Sequence, residues 1–435
     1  MRFDCDGFLG AVMAAEGTEG FKALINGPGG CRSRTQILVN EQFITVDDNP
    51  MGCANSPFMS KQTRVPCTFL NNRDIVFGTA DKISEGIRSV AESTGGNIVF
   101  IDTLGASVQV ADRESAAVRS GYGDHVVFAD PDVSSLSFSE GFDDTVMKIV
   151  SFIGPNRKNS KAKKVNILGY GAFDADWTYG MQSLRELMEL LGTEITCFIG
   201  LDSAAELKNS GDADLNIMIH PECSRKTAEW YCRNLDIPFL EPSMGAPIGY
   251  DSIRSFINEV SQALDLDPSH ALKILDEDER RMMRILRNYD KFSGGLRCGG
   301  MGFEGMPSDI LPVMKWMYNA FSLVPEYIDV RRTDDNRDIT GVQRFLEEID
   351  SLEALDKKEP SPDLKIIFTD GLSAQYYNFD RPKMSAVGFE MPFAGVSGLM
   401  DRSLMWLNGC HVILDGVING IGSFKCGQPT GIDFR

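Results

Sequence analysis

The stretch Lys164-Val-Asn-Ile-Leu168 is a short apolar run of the kind that forms a buried parallel strand. Residues 180–191, which follow it, carry apolar side chains at helical spacing, and a second apolar run occupies 194–199. Strand, helix and strand in this order predict a βαβ unit. Similar runs predict buried strands at 97–101, 215–219 and 364–368. The pattern therefore predicts a doubly wound α/β fold.

The length of 435 residues exceeds the usual size of a single domain, so two or three domains are expected. A basic, polar stretch at 154–164 is predicted to link a first domain (1–155) to a second (160–270). An acidic segment at 265–281 leads into a third domain (275–435). Within it, the charged residues 331–363, with one helix predicted at 340–355, are interpreted as an excursion over the surface.

The composition excludes several classes of function. With 43% hydrophobic and 24% charged residues, the chain is typical of packed globular proteins. Acidic residues outnumber basic ones by 62 to 43, and the formal net charge of -19 disfavours nucleic acid or an anionic membrane as the partner. No apolar run is long enough to span a membrane, and the first residues carry no targeting pattern. We therefore expect a cytoplasmic protein whose partner is a small molecule or another protein.

Nucleotide-binding motifs contribute little. Gly300-Met-Gly-Phe-Glu-Gly305 fits the pattern G-x-G-x-x-G ahead of a helix predicted at 309–321. Because the segment before it is a poor strand, we interpret it as a plain strand-to-helix turn. No Gly-Lys dipeptide occurs in the sequence, so there is no Walker A loop, and any ATP-dependent step requires a separate protein.

The ten cysteines contain no C-x-x-C pair and are predicted to be thiols, either packed in the core or bound to metal. Cys31 closes the turn Gly27-Pro-Gly-Gly30, whose backbone can approach a bulky anionic group closely, as an iron–sulfur cluster requires. Cys5 lies 26 positions earlier, and Cys67 follows in Val65-Pro-Cys67. The alternative is that all three are buried thiols beside a glycine-rich turn.

These segments resemble a known family, the component 1 proteins of nitrogenase and nitrogenase-like oxidoreductases. Residues 5–11 are similar to the family's early Cys-Gly-Ala segment, 27–31 to its Gly-Pro-x-Gly-Cys turn, and 74–78 to its Asp-x-Val-Phe-Gly-Gly element. Further resembling segments are 215–219, 228–230, 235–239, 246–249 and 406–419. The resemblance covers nearly the whole chain and implies three Rossmann-like domains with parallel sheets.

The resemblance also implies a cofactor and partners. The cofactor is an iron–sulfur cluster, of the [4Fe-4S] or P-cluster type, with Cys5 and Cys31 as ligands and Gly29 and Gly30 close to it. The partners are an ATP-dependent iron–sulfur reductase and a homologous component 1 subunit, in a homodimer or heterotetramer. After the strand at 97–101 the family's third cysteine is absent, which leaves Cys67, Cys53 or a partner chain to supply that ligand.

A second cofactor is implied at a different place. The cysteine that anchors the large molybdenum–iron cofactor aligns with His220, and Cys223 is a displaced thiol nearby. Both are candidates for binding a second metal cofactor or a tetrapyrrole in the cavity between domains, the alternative being a core histidine and a packed thiol. The family's histidine ligand falls near 394–398, where no histidine occurs, so dinitrogen reduction is disfavoured.

The expected function is therefore that of a nitrogenase-like oxidoreductase subunit. It would receive electrons through the cluster and reduce a tetrapyrrole, an organosulfur compound or a small unsaturated molecule in the cleft between domains. Two alternatives remain open at this point. One is a scaffold for metal-cofactor assembly, and the other is a beta-type subunit without its own active site.

Overall fold

The computed structural model describes residues 5–43, 64–103, 110–157, 163–293, 299–381, 384–393 and 400–427. The strands in these residues form three separate sheets, and every strand pair within them is parallel. The predicted α/β fold with three Rossmann-like parallel sheets is confirmed. The strands come from residues 21–128, 164–240 and 299–390, inside the three predicted domains, whose boundaries themselves stay a prediction.

The first sheet has the order β1-β2-β3 and consists of β1 (Phe21–Asn26), β2 (Asn97–Asp102) and β3 (Val126–Phe128). Its helices are α1 (Gly7–Gly17), α2 (Gly29–Gln42), α3 (Asn72–Phe77), α4 (Ala80–Thr94), α5 (Val110–Ser120) and α6 (Phe138–Ile153). The predicted strand at 97–101 is confirmed.

The second sheet has the order β5-β4-β6-β7, with β4 (Lys164–Leu168), β5 (Glu194–Phe198), β6 (Leu215–Met218) and β7 (Phe239–Leu240). Its helices are α7 (Trp177–Leu190), α8 (Ala204–Asn209), α9 (Arg225–Leu235) and α10 (Tyr250–Leu264). The three predicted strands of this domain are all present. Their apolar runs arise because the central strands are covered on both faces.

The third sheet has the order β11-β10-β8-β9, with β8 (Gly299–Gly305), β9 (Leu323–Val330), β10 (Ile366–Asp370) and β11 (Ser385–Glu390). Its helices are α11 (Ser269–Ser293), α12 (Pro307–Phe321), α13 (Asn336–Glu348), α14 (Gly371–Asp380) and α15 (Trp406–Gly427). Within the described residues, no helix has both the length and the apolar character needed to cross a lipid bilayer.

Two interpretations of the third domain are wrong. The glycine motif at 300–305 lies inside β8 and not in a turn after it. The surface excursion does not begin at 331, because the side chains of Arg331 and Arg332 are 15% and 6% exposed and form ion pairs. Its helix spans Asn336–Glu348 instead of 340–355, since the Asp335 carboxylate caps an earlier start by accepting from Arg337 N.

Helix α1 positions the N-terminal cysteine. Every residue of α1 is buried, and the helix packs against α6 with backbone touching backbone. A Cβ atom on Gly10 would lie 2.1 Å from the carbonyl oxygen of Phe138, and one on Gly141 would lie 2.2 Å from that of Gly7. Only glycine permits this separation. The start of α1, two residues after Cys5, is thereby fixed against the start of α6.

This contact yields a stability prediction. Gly141→Ala should destabilise the fold by about 1–3 kcal/mol, because the added methyl group forces the two helices apart. Gly123→Ala is the matched control, since its Cβ would meet its nearest neighbours at an ordinary 3.5 Å. Thermal unfolding of both variants checks the prediction, and equal midpoints would contradict it.

Candidate functional site

The start of α2 carries the first candidate ligand. Cys31 lies in the first turn of α2, and its backbone N–H donates to the carbonyl oxygen of Pro28 at 3.1 Å. Gly29 and Gly30 occupy the first two positions of the helix, where backbone N–H groups have no partner within the helix. A Cβ on Gly29 would lie 3.0 Å from the Phe69 ring, whereas one on Gly30 would meet nothing within 4 Å. Open space therefore adjoins Gly30, the residue before Cys31.

Cys67 lies at the same turn. The segment around it follows the end of β1, because Ile25 N donates to Pro66 O at 3.0 Å and Thr68 N donates to Ile25 O at 2.9 Å. The Cys67 thiol donates to the carbonyl oxygen of Gly27 at 3.1 Å. Burial raises the pKa of Cys67, and Cys31 is close enough to raise it further. Two of the predicted ligands thus meet at one place.

Cys5 is connected to the same helix, α2, through its neighbour Asp6. It precedes Asp6, whose carboxylate caps α1 and also accepts from Arg34 at 2.8 Å. Arg34 lies three residues after Cys31 on α2. Burial raises the pKa of the partly exposed Cys5 thiol to about 11. Cys53 lies outside the described residues.

The donor set fits an iron–sulfur cluster in part. Partly exposed thiols beside unpaired helix amides and open space are suited to an anionic, thiolate-bound group. Across the described ranges, however, no three His, Cys, Asp or Glu side chains are close enough together to hold a metal ion. Cys31 and Cys67 therefore need further ligands, and Cys5, Cys53 and another chain are the available sources.

His220 has a different environment. It follows β6 and is fully buried, with Nε2 2.8 Å from Asp174 Oδ1 and Nδ1 2.7 Å from Ser308 Oγ. Glu222 accepts from the Ser308 hydroxyl at 2.7 Å, so Ser308 must itself accept from the histidine. Burial alone would lower the pKa of His220, but Asp174 and Asp309 outweigh it and raise the value to about 10. The two acids thus favour the imidazolium form, which would donate from both nitrogens.

This arrangement does not fit a second metal cofactor. An imidazolium has no lone pair for a metal. The Cys223 thiol is fully buried, lies 3.4 Å from the Ser139 hydroxyl, and has its pKa raised well above the usual range by burial. As hydrogen-bonded here, neither residue presents a free donor, and no step is derived through a second metal group.

Sequence reasoning missed the partners of these residues. Asp174, Ser308 and Asp309 come from two domains and meet only because β6 and β8 both end at the junction between them. Sequence reasoning also missed Arg332 and Glu390, because they lie far apart in the sequence. They form a buried ion pair at 2.8 Å. The one available signal was the run of acids and a histidine directly after predicted strands, where α/β proteins place functional groups.

The fold and the candidate site thus consist of three parallel sheets and a pair of thiols at a glycine-rich segment beside the first sheet. The profile of the family described as nitrogenase component 1 type oxidoreductase matches residues 7–304. The match spans more than half of the 435 residues, and the chain belongs to this family. The resemblance seen in the sequence is therefore confirmed.

Several curated proteins are similar to parts of this chain. One component of the light-independent protochlorophyllide reductase of Rhodopseudomonas palustris strain BisA53, its B-type polypeptide, is 31% identical over 120 residues, which cover 27% of this chain and 22% of the relative. The corresponding polypeptide of strain BisB5 is 22% identical over 278 residues, covering 61% and 49%. The chain thus matches less than half the length of these relatives.

A solved structure shares the fold. The structure described as "Nitrogenase Cp1 at pH 6.5" superposes with a TM-score of 0.76 over 98% of this chain and 94% of that chain. Its sequence identity is 16%, so the match concerns the fold alone.

The thiol geometry yields a prediction about ligands. Cys67→Ser should lower the iron content of anaerobically purified protein and change its absorption near 400 nm, roughly where thiolate-bound clusters absorb. Cys53→Ser should have the smaller effect, because Cys67 already contacts the Cys31 turn. Cys197→Ser, in the buried β5 strand, is the control. Full iron content in both Cys67→Ser and Cys53→Ser would assign the missing ligand elsewhere.

The charged His220 yields a pH prediction. Because its folded pKa, about 10, exceeds the unfolded value of about 6.5, its contribution to stability is complete below pH 6.5 and is lost as pH rises toward 10. The thermal midpoint should therefore fall more steeply between these values in the wild type than in His220→Gln. Parallel curves for the two proteins would show that the ring is not charged in the fold.

Proposed function

We propose that the chain is an electron-accepting subunit of a nitrogenase-like oxidoreductase, with an iron–sulfur cluster held by Cys31, Cys67 and Cys5. The subunit would take electrons from a separate ATP-dependent iron–sulfur reductase and deliver them to a substrate between its domains. The observation that carries the proposal is the meeting of Cys31 and Cys67 at the turn before α2, in a chain of this family.

The chain's own residues have defined tasks in this proposal. The thiols bind the cluster, and the first amides of α2 face its negative charge. Gly29 admits the Phe69 ring, which covers one side of the turn, and Gly30 leaves the other side open. A bound iron–sulfur cluster supplies one-electron storage, while the protein supplies ligation and burial.

A partner subunit is supported by the surface beside the thiols. Phe69, Val76 and Phe77 are 50%, 72% and 81% exposed, and all lie on or next to the short helix α3. Adjacent exposed apolar side chains favour a protein contact. The incomplete ligand set points the same way, because a homologous component 1 subunit in this position could add cysteines to the cluster. This favours a cluster that is shared with a partner subunit over one that is held by this chain alone.

The substrate class is supported by two observations. The curated relatives are components of protochlorophyllide reductase, which favours a tetrapyrrole among the classes considered. A cavity of about 540 Å³ lies between the second and third domains, at the carboxyl ends of β6 and β8, where open α/β sheets bind ligands. Its lining includes Arg225, Arg337 and Arg344. Arg225 is paired with Glu241 and Asp338, and Arg337 with Asp335, so among these three Arg344 suits one of the carboxylates that tetrapyrroles carry.

The electron supply can be tested directly. Mixed with a candidate iron–sulfur reductase under anaerobic conditions, the cluster should be reduced with ATP and remain oxidised without it, because this sequence has no Walker A loop. Absorption near 400 nm, roughly the cluster band, follows the reaction. Equal reduction rates with and without ATP would contradict the proposal.

A matched pair of variants locates the contact surface. Phe77→Asp places a charge beside the thiols and should weaken subunit assembly and slow reduction. Phe379→Asp changes an equally exposed phenylalanine on α14 of the third domain and should affect neither. Light scattering measures the assembly, and equal behaviour of the two variants would remove the surface from the proposal.

A further inference from the structure

Arg332 joins the third domain to the first. It follows β9, its side chain is only 6% exposed, and its backbone has a φ of +73°, which a non-glycine residue seldom adopts. Its Nη2 pairs with Glu390 Oε2 at 2.8 Å and also donates to the carbonyl oxygen of Met391. The guanidinium carbon lies 5.5 Å from the centre of the Phe138 ring, and the Arg332 carbonyl accepts from Ser139 N at 3.0 Å.

One donor of this buried guanidinium has no partner. Nη1 makes no hydrogen bond to any residue that the structure describes. An unsatisfied donor on a buried charged group is costly, and a strained backbone adds to that cost. A buried donor without an acceptor needs an explanation, and one explanation is that a bound ion or cofactor supplies the acceptor.

The neighbourhood of Arg332 indicates where that component lies. Asp6 forms a β-bridge with Ser137, so Cys5 is held next to the start of α6, where Phe138 lies beneath the guanidinium. Of the cations near the Cys5 thiol, Arg332 opposes the effect of burial on its pKa most strongly. Arg34, paired with Asp6, is the second cation, and Glu390 is the anion that raises the pKa of the thiol most strongly.

We propose that Arg332 is a positioning residue whose buried charge and free Nη1 stabilise the negative charge of an iron–sulfur cluster bound through Cys5. The inference rests on the proposed function, because it needs a cluster at that cysteine. Reduction adds one electron, supplied by the reductase or by a chemical reductant, and no bond is broken. A cation beside the cluster favours the reduced form, so Arg332 raises the reduction potential.

Glu390 strengthens the expected effect. In the wild type its carboxylate is offset by Arg332 at 2.8 Å. With glutamine at 332 the field at Cys5 loses its cation, and Glu390, for as long as it stays ionised, makes that field more negative. The cluster should then be harder to reduce.

The test is a redox titration of the cluster, followed by electron paramagnetic resonance, in the full-length protein. At the wild-type midpoint, Arg332→Gln should show about a tenfold lower ratio of reduced to oxidised cluster, a shift of about 59 mV for one electron. Arg332→Lys, which keeps the charge, should recover most of the ratio. Arg331→Gln is the matched control, because that buried arginine pairs with Glu304 and Asp370 inside the third domain.

The outcomes separate the inference from the function on which it rests. A wild-type protein that binds no iron contradicts the proposed function. A wild-type protein with a cluster whose potential is unchanged in Arg332→Gln overturns only the role of Arg332. If the glutamine variant folds but loses its iron while the lysine variant keeps it, the charge is required and the inference stands. Loss of iron from both variants would assign Arg332 a packing role instead.

Discussion

Buried charge, which must be paired where water is excluded, fixes the three domains against one another. Asp143 on α6 of the first domain accepts from Thr227 N and Oγ1 at the start of α9 in the second. His220 joins the second domain to Ser308 of the third. Arg332 of the third domain contacts the first domain, because its carbonyl oxygen accepts from Ser139 N. Each contact is satisfied only in one arrangement, so the junction selects a single relative position of the sheets.

The positions of the three thiols depend on this arrangement to different degrees. Helix α1 enters the junction with its backbone packed against α6, and Cys5, two residues before the helix, is therefore placed beside Arg332 and Glu390. Cys31 and Cys67 depend instead on the first sheet alone, through the pairing of the Cys67 segment with the end of β1. A site that includes Cys5 as well as Cys31 and Cys67 would therefore depend both on a local turn and on the packing of the domains against one another.

The sequence predicted what depends on local pattern. Strands β4, β5 and β6 were found because their apolar runs are buried on both faces, and the turn at 27–31 because its glycines precede a cysteine. Strand β8 was missed, since its glycines make room for distant side chains: a Cβ on Gly305 would lie 2.5 Å from Glu390. The charge of His220 was equally hidden, because its partners lie 46 and 88 residues away. Such contacts follow from tertiary packing, which no local pattern records.

Arg331 and Arg332 illustrate the same limit within two residues. In the sequence they begin a charged segment and appear alike, yet they serve different networks. Arg331 pairs with Glu304, Asp329 and Asp370, all in the third domain. The left-handed backbone at Arg332 turns the chain after β9. The Arg332 guanidinium can therefore reach across to the Phe138 ring of the first domain. Contacts between the domains offset the free-energy cost of that backbone conformation. The same conformation places the Arg332 charge near Cys5, so the strain and the environment of the thiol have a common cause.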